Sequence, residues 1–345
     1  MARSTIQDVA KLAGVSEATV SRALRGLNNV APATRHKVEE AAAELRFTLS
    51  KSASSLASGK TRRILLLVSG GLNDWFNSSV LQGAYEVFSP AGYDVTPSFI
   101  TSRDELSRLI KALPSNRNAD AIIVASFTLD QAFRDALAAM DMPLAGINNP
   151  NITGLDVSVR IDDLDGMRQA VQLLHSLGHR SLAYIGNLIP PDLDYSADLR
   201  GEGFLNAAHE LGYAEDTLYL SPSDTAYQTL SPVETARRAV ASLLAAPQHP
   251  TGVCVQNDEL AAHILKELRR QHIRIPEQMS VIGFDDNPYA DILDMTSIHQ
   301  DPIQLAREAS QRVLAILTGE QPDEPHLVVP TAPTLRGTTG VVRPM

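Results

Sequence analysis

Glu17, Ala18, Thr19, Ser21 and Arg22 crowd one short stretch of the chain, and their side chains together could read a nucleic acid. An arginine such as Arg22 bonds a guanine edge with two donors. Ala18 can touch a thymine methyl, and Glu17 can accept from a cytosine amino group. Thr19 and Ser21 suit phosphate oxygens, which fix register without reading sequence. Other constellations fall short of catalysis. His175 and His179 have metal-ligand spacing, but Gly178 interrupts their helix and no third ligand is evident. Ser58-Gly59-Lys60-Thr61 resembles the end of a phosphate-binding loop, yet Ser54 stands where that motif needs glycine, and a strand follows instead of preceding. Gly201-Glu202-Gly203 falls at a helix start, and no G-x-S-x-G turn occurs. The residues argue for binding, with no enzyme activity, metal or cofactor expected.

The elements that must position the reading residues are legible. Thr5 precedes an apolar series at Ile6, Val9, Ala10 and Ala13 with helical spacing. Gly14 ends that helix, Val15 plugs the turn, and Ser16 is a good N-cap for a second helix with Val20, Ala23 and Leu24 inward. Gly26 and Asn28-Asn29 break the chain, and Pro32 opens a third helix lined by Val38, Ala41, Ala42 and Leu45. This is an all-α helix-turn-helix unit over residues 1–49, whose second helix would enter the major groove. Thr5, Ser16 and Asn29 complete the set expected at DNA. A three-helix protein-binding module is the alternative.

Charge supports the nucleic-acid reading. The whole chain carries a net charge of -10. Residues 1–63 nevertheless hold eleven Lys/Arg against five acids, so the head is +6 and the remainder -16. A basic head on an acidic body directs polyanion binding to one end. The 345 residues suit two or three domains, and 44% hydrophobic with 20% charged residues is a globular composition. One cysteine, Cys254, the lack of an N-terminal apolar leader and the lack of a membrane-spanning run lead us to expect a cytoplasmic protein.

From Ile64 onward, short apolar runs such as Ala121–Ala125, Val157–Ile161, Gly252–Val255 and Ser280–Phe284 alternate with amphipathic helical stretches. The repeat is roughly thirty residues, the length of a strand–helix–strand unit. Such alternation builds parallel sheets with helices on both faces. The stretch is too long for one sheet, so two doubly wound lobes with a cleft at the strand carboxyl ends fit better.

Thr5-Ile6-Gln7-Asp8-Val9-Ala10-Lys11-Leu12-Ala13-Gly14-Val15-Ser16, with Thr19-Val20-Ser21-Arg22-Ala23-Leu24, resembles the headpiece of the lactose/galactose repressor family. The resemblance continues through Leu177-Gly178-His179-Arg180, Gln256-Asn257-Asp258-Glu259-Leu260-Ala261, Ser280-Val281-Ile282-Gly283-Phe284-Asp285-Asp286 and Leu335-Arg336-Gly337-Thr338-Thr339. It implies a helix-turn-helix headpiece joined to an α/β sensor of the periplasmic-binding-protein type, built of two doubly wound parallel-sheet lobes. Residues 50–61 would form a hinge helix or linker, with Leu56 as an apolar wedge in the minor groove; a plain linker is the alternative. The sensor, 62–345, would have a first lobe of about 62–161 and 291–320, and a second of about 162–290 and 321–345.

The same resemblance carries over the pocket. Arg200, just before Gly203-Phe204, stands where a ligand-binding arginine is expected, and Asn257 and Asp285 correspond to a polar pair for sugar hydroxyls. Asn148 ends one strand and Asp162 follows the next, while Ser69, Trp75 and Phe76 come from the first strand–helix connection, where Trp75 is either a platform for a sugar ring or part of the core. Amides, carboxylates and a guanidinium suit vicinal hydroxyls. The implied function is a transcriptional repressor whose affinity for a pseudo-palindromic operator is controlled by a small effector, a sugar. It would act as a homodimer, and no C-terminal heptad segment is evident for a tetramer. Purine-type corepression is the runner-up, and a sugar-binding protein without a DNA role is the rival from another class.

Overall fold

The computed structural model describes residues 4–24, 26, 29–47, 60–116, 119–186, 193–213, 217–220, 231–247 and 249–342. By its contacts the chain divides into two compact units, Met1–Arg62 and Arg63–Met345.

In the first unit, helix α1 (Ile6–Ala13) starts at a reciprocal cap. The Thr5 side chain accepts from the Asp8 backbone, and Asp8 accepts from the Thr5 backbone. Gly14, at φ 67°, ends the helix in a left-handed cap that carries a side chain only with strain. Helix α2 (Glu17–Leu24) and helix α3 (Pro32–Glu44) follow. Ala31 gives α3 no side-chain cap, and Pro32 alone marks its start. A small apolar core of Val9, Ala10, Val20, Ala23, Val38, Ala41 and Ala42 joins the three helices.

The second unit holds two sheets. Its elements are β1 (Arg63–Val68), α4 (Trp75–Phe88), β2 (Asp94–Phe99), α5 (Arg103–Asn116), β3 (Ala121–Ala125), α6 (Gln131–Ala138), β4 (Leu144–Ile147) and β5 (Val157–Ile161). Next come α7 (Asp163–Ser176), β6 (Leu182–Ile185), α8 (Asp198–Glu210), β7 (Thr217–Leu220), α9 (Pro232–Ala245), β8 (Gly252–Val255), α10 (Asp258–Arg270) and β9 (Ser280–Asp285). The last are α11 (Pro288–Ile292), β10 (Ser297–His299), α12 (Pro302–Thr318), β11 (His326–Val329) and β12 (Ala332–Thr334).

The first sheet runs β11-β5-β4-β3-β1-β2 and the second β12-β10-β9-β8-β6-β7. All pairings are parallel except β10 with β12. β3, Ala-Ile-Ile-Val-Ala, is buried throughout, as a central strand covered on both faces must be. β2 closes an edge and carries Pro97 where no sheet bond is lost. The order places β1 beside β3, and β6 beside β8, across the point where the winding reverses in each lobe; ligands bind at such points, beyond the strand carboxyl ends.

The chain passes between the sheets after Ile161, between His299 and Pro302, and between Val329 and Ala332. The second and third passages differ from the expected lobe limits at about 290–291 and 320–321. Residues 291–299 remain with the second lobe, and β11 returns to the first. The reason is physical: β10 and β12 have three residues each, too short to show a period.

Candidate functional site

On the helix-turn-helix unit, Glu17, Ala18 and Arg22 are exposed and Ser21 is half-buried. None of the four uses its side chain in a bond among the described residues, so this face of α2 is open to a partner. Thr5, Ser16 and Thr19 are placed differently. Thr5 is committed to Asp8, while Ser16 Oγ accepts from the Thr19 backbone at 3.2 Å and pairs with Thr19 Oγ1 at 2.8 Å. These three hold the helix starts, leaving backbone N–H groups for any phosphate contact. Asn29 is exposed in the turn before α3. Leu56 and the hinge segment lie outside the described residues.

In the second unit the charged centre is built around Arg200, on the first turn of α8 and 4% exposed. Its Nε donates to Asp163 Oδ1 at 2.8 Å, and its Nη1 donates to the Gln256 carbonyl at 2.7 Å and to Asp285 Oδ1 at 2.9 Å. The guanidinium carbon stands 3.8 Å from the Phe284 ring centre, a cation–π contact. Glycine makes this approach possible. A Cβ on Gly203 would lie 2.7 Å from the Leu164 carbonyl, so α8 rests on the start of α7 only with glycine there. Asp163, Gln256 and Asp285 thus reach one arginine from α7, from the end of β8 and from the end of β9.

Asp285 has φ 110° and Asp286 φ 55°. Such conformations cost non-glycine residues about 1–3 kcal/mol and collect at binding sites. Gln300, at the second passage between lobes, donates from Nε2 to Asp285 Oδ1 at 2.7 Å. Next to this group, Asp258 accepts from Ser297 Oγ at 2.7 Å and from the Asn287 backbone at 2.9 Å. Burial, then the Asp285 charge, pushes the Asp258 carboxyl up to about 8. Burial also raises Asp285 and Asp163, opposed in both by Arg200. Burial opposes the Arg200 charge too, but Asp285 and Asp163 outweigh it and hold its pKa above the usual arginine value. The cation therefore opposes the effect of burial at Asp285 and Asp163, whereas Asp258, raised furthest, has no cation bonded to it among the described residues.

The other expected pocket residues divide. Asn148 (φ 52°, 2% exposed) accepts from the Ile161 backbone at 3.1 Å and donates to Ser196 Oγ at 3.3 Å, linking the lobes. Ser69 Oγ pairs with Tyr195 Oη at 2.8 Å, a second link. Asp162 and Asn257 spend a side-chain oxygen capping α7 and α10. Trp75 starts α4 half-buried, whereas Phe76 packs against the apolar core. The geometry adds Asp163, Asp258, Gln300 and Tyr195, which the sequence reading did not single out. The Asp162-Asp163 doublet was the one available signal; the others depend on which strands adjoin. His175 and His179 have structural work instead: His175 bonds Tyr213, and buried His179 bonds Thr251 and Ser280.

The segment just before α8 extends this picture. Backbone bonds of 2.9 Å join Thr128 to the Asp194 carbonyl and Ser196 to the Ser126 carbonyl. Leu193 and Tyr195, from the second lobe, are buried in the core of the first. No described helix is long and apolar enough to cross a membrane.

Comparison with known proteins gives two matches along the chain. Residues 5–50 match the family described as bacterial regulatory proteins, lacI family, and residues 171–339 match the periplasmic binding protein-like domain. The HTH-type transcriptional regulator GntR of Pseudomonas aeruginosa is 32% identical over 324 residues, covering 92% of this chain and 91% of the relative. The HTH-type transcriptional repressor CytR of Escherichia coli K12 is 27% identical over 340 residues, covering 97% and 96%. Among solved structures, a transcriptional regulator CelR–cellobiose complex superposes with TM-score 0.67 at 26% identity, covering 97% of this chain and 100% of that one.

Proposed function

The chain belongs to the lacI family of bacterial regulatory proteins, DNA-binding transcriptional regulators, and from that premise we propose that a sugar held at Arg200 and Asp285 controls its operator affinity. The observation that carries this reading is the buried Arg200 centre at the strand ends of the second lobe, beside the residues on which the chain passes between lobes. Arg200 and Asp285 take the ligand from the second lobe; Ser69, Trp75, Asn148 and Asp162 face it from the first lobe and the first passage. The relative solved with cellobiose supports a sugar as the class. Glu17, Ala18 and Arg22 read bases, and the starts of the helices at Thr5 and Ser16, with Thr19, Ser21 and Asn29, meet the backbone. Leu56 acts at the operator centre. The protein works in the cytoplasm as a homodimer, represses when unliganded, and has no turnover of its own.

Control requires the sugar to prefer the form with low operator affinity, by about 1–3 kcal/mol. Base reading is tested by Arg22→Ala, compared on operator selected from a random palindromic pool and on scrambled duplex. It should lose roughly 1–3 kcal/mol on operator only. Equal loss on both duplexes removes the base-reading role.

A further inference from the structure

The strand ends at which the sugar reading places the ligand are rich in hydrogen-bond acceptors, and the cations there are already paired, Arg336 with Asp286 at 2.7 Å. Arg200 is the central cation, and two carboxylates and a carbonyl already hold it. Arg160, the penultimate residue of β5, turns its Nη1 back on the Ile161 carbonyl at 3.3 Å. The connections Ser69–Asp74, Ser126–Asp130 and Asn148–Asp156 contain no lysine or arginine, and each contains an aspartate. Arg103 follows β2, the edge strand of its sheet.

Two acceptors in the Arg200 centre take no side-chain bond among the described residues. Both side-chain bonds to Asp285 fall on Oδ1, which leaves Oδ2. Gln300 is 4% exposed, and its Oε1 is buried with no partner among the described residues. Its amide is held against Asp285 by Nε2, so Oε1 belongs to the same polar centre. An unpaired buried acceptor is destabilising until a donor reaches it. A hydroxyl is such a donor. A carboxylate or phosphate offers only more acceptors, beside an ionised Asp285.

Building on the sugar-sensing reading, we propose that the effector is an uncharged, hydroxyl-rich molecule donating to Asp285 Oδ2 and Gln300 Oε1, and that the cleft rejects carboxylate- or phosphate-bearing forms of the same skeleton. Gln300 is thereby a specificity-determining residue, and charge, more than ring size, sets what is refused.

The test uses the full-length protein and skeleton-matched probes: glucose, gluconate and glucose 6-phosphate; ribose, ribonate and ribose 5-phosphate; cellobiose and cellobionate. Thermal shift finds the responding set, and titration calorimetry measures it. A neutral parent should bind at least about tenfold more tightly than its acid and its phosphate. An acid or phosphate that binds more tightly than its parent overturns the proposal and leaves sugar sensing standing. A flat response to every probe overturns both. With the parent in hand, Gln300→Met keeps the side-chain volume and removes the acceptor together with the bond to Asp285; it should weaken the parent about tenfold. Unchanged affinity in a folded Gln300→Met protein also overturns the assignment.

Discussion

The two lobes share a winding order but present different chemistry at their strand ends. Each sheet places its first strand beside its third, and each ends on a strand contributed by the C-terminal return. In the first lobe two neutral groups at the strand ends, Ser69 and Asn148, are bonded across to Tyr195 and Ser196. In the second, Arg200, Asp163, Asp258 and Asp285 form a buried charged centre. The difference teaches that one fold can divide its labour. The second lobe holds a charged anchor whose groups are bonded to one another. The first lobe is held to it by neutral bonds that can be exchanged at small cost, since a neutral hydrogen bond is worth only about 0.5–1.5 kcal/mol net.

Breaking the anchor should have the largest effect. Asp163→Ala leaves Arg200 buried without one of its carboxylates, and removing one partner of a buried pair costs about 3–5 kcal/mol. Urea denaturation followed by circular dichroism reads this directly. A loss below about 1 kcal/mol, the range of an exposed pair, would mean that the centre is solvated and the lobes do not differ as described.

Acidity sharpens the same contrast. Asp258 ionises near its ordinary 3.8 in the unfolded chain but only at about 8 in the fold. Between those values the native state holds a proton that the unfolded state has released, so this group withdraws stability as pH rises, and the full cost is present above about 8. The slope approaches about 1.4 kcal/mol per pH unit at most. Asp258→Asn, which can serve Ser297 and Asn287 in the same places, should flatten the melting temperature between pH 6 and 9 relative to the parent protein. Parallel profiles would show that Asp258 is ionised throughout.

The neutral side should respond least. Tyr195→Phe keeps the ring against Phe127 and removes the bond to Ser69, so stability should fall by about 0.5–1.5 kcal/mol. A loss as large as that of Asp163→Ala would erase the distinction between anchor and latch.

Much of the fold was legible in the sequence. The apolar runs at Ala121–Ala125, Val157–Ile161 and Gly252–Val255 are strands with those same ends, because a buried parallel strand is a bounded apolar run. Arg200 and Asp285 came from motif position. Gln300 did not, because it follows a three-residue strand with no pattern to announce it. Asn257 and Asp162 look the same in sequence whether they cap a helix or hold a ligand, and the structure gives each a capping bond. Tyr195 is an aromatic in a loop, and its burial in the other lobe depends on long-range contacts.

The central claim is that ligand is felt at Asp285 and DNA elsewhere, and Asp285→Asn tests it most directly. Asparagine keeps the shape and an acceptor but gives up the charge-assisted bond, worth on the order of 1.5–3 kcal/mol. Operator binding should be followed by fluorescence anisotropy on the selected duplex, with the sugar that thermal shift identifies titrated in. The account predicts unchanged operator affinity without sugar, and release only at concentrations about ten- to a hundredfold higher than for the parent protein. Loss of operator binding with sugar affinity intact would contradict it.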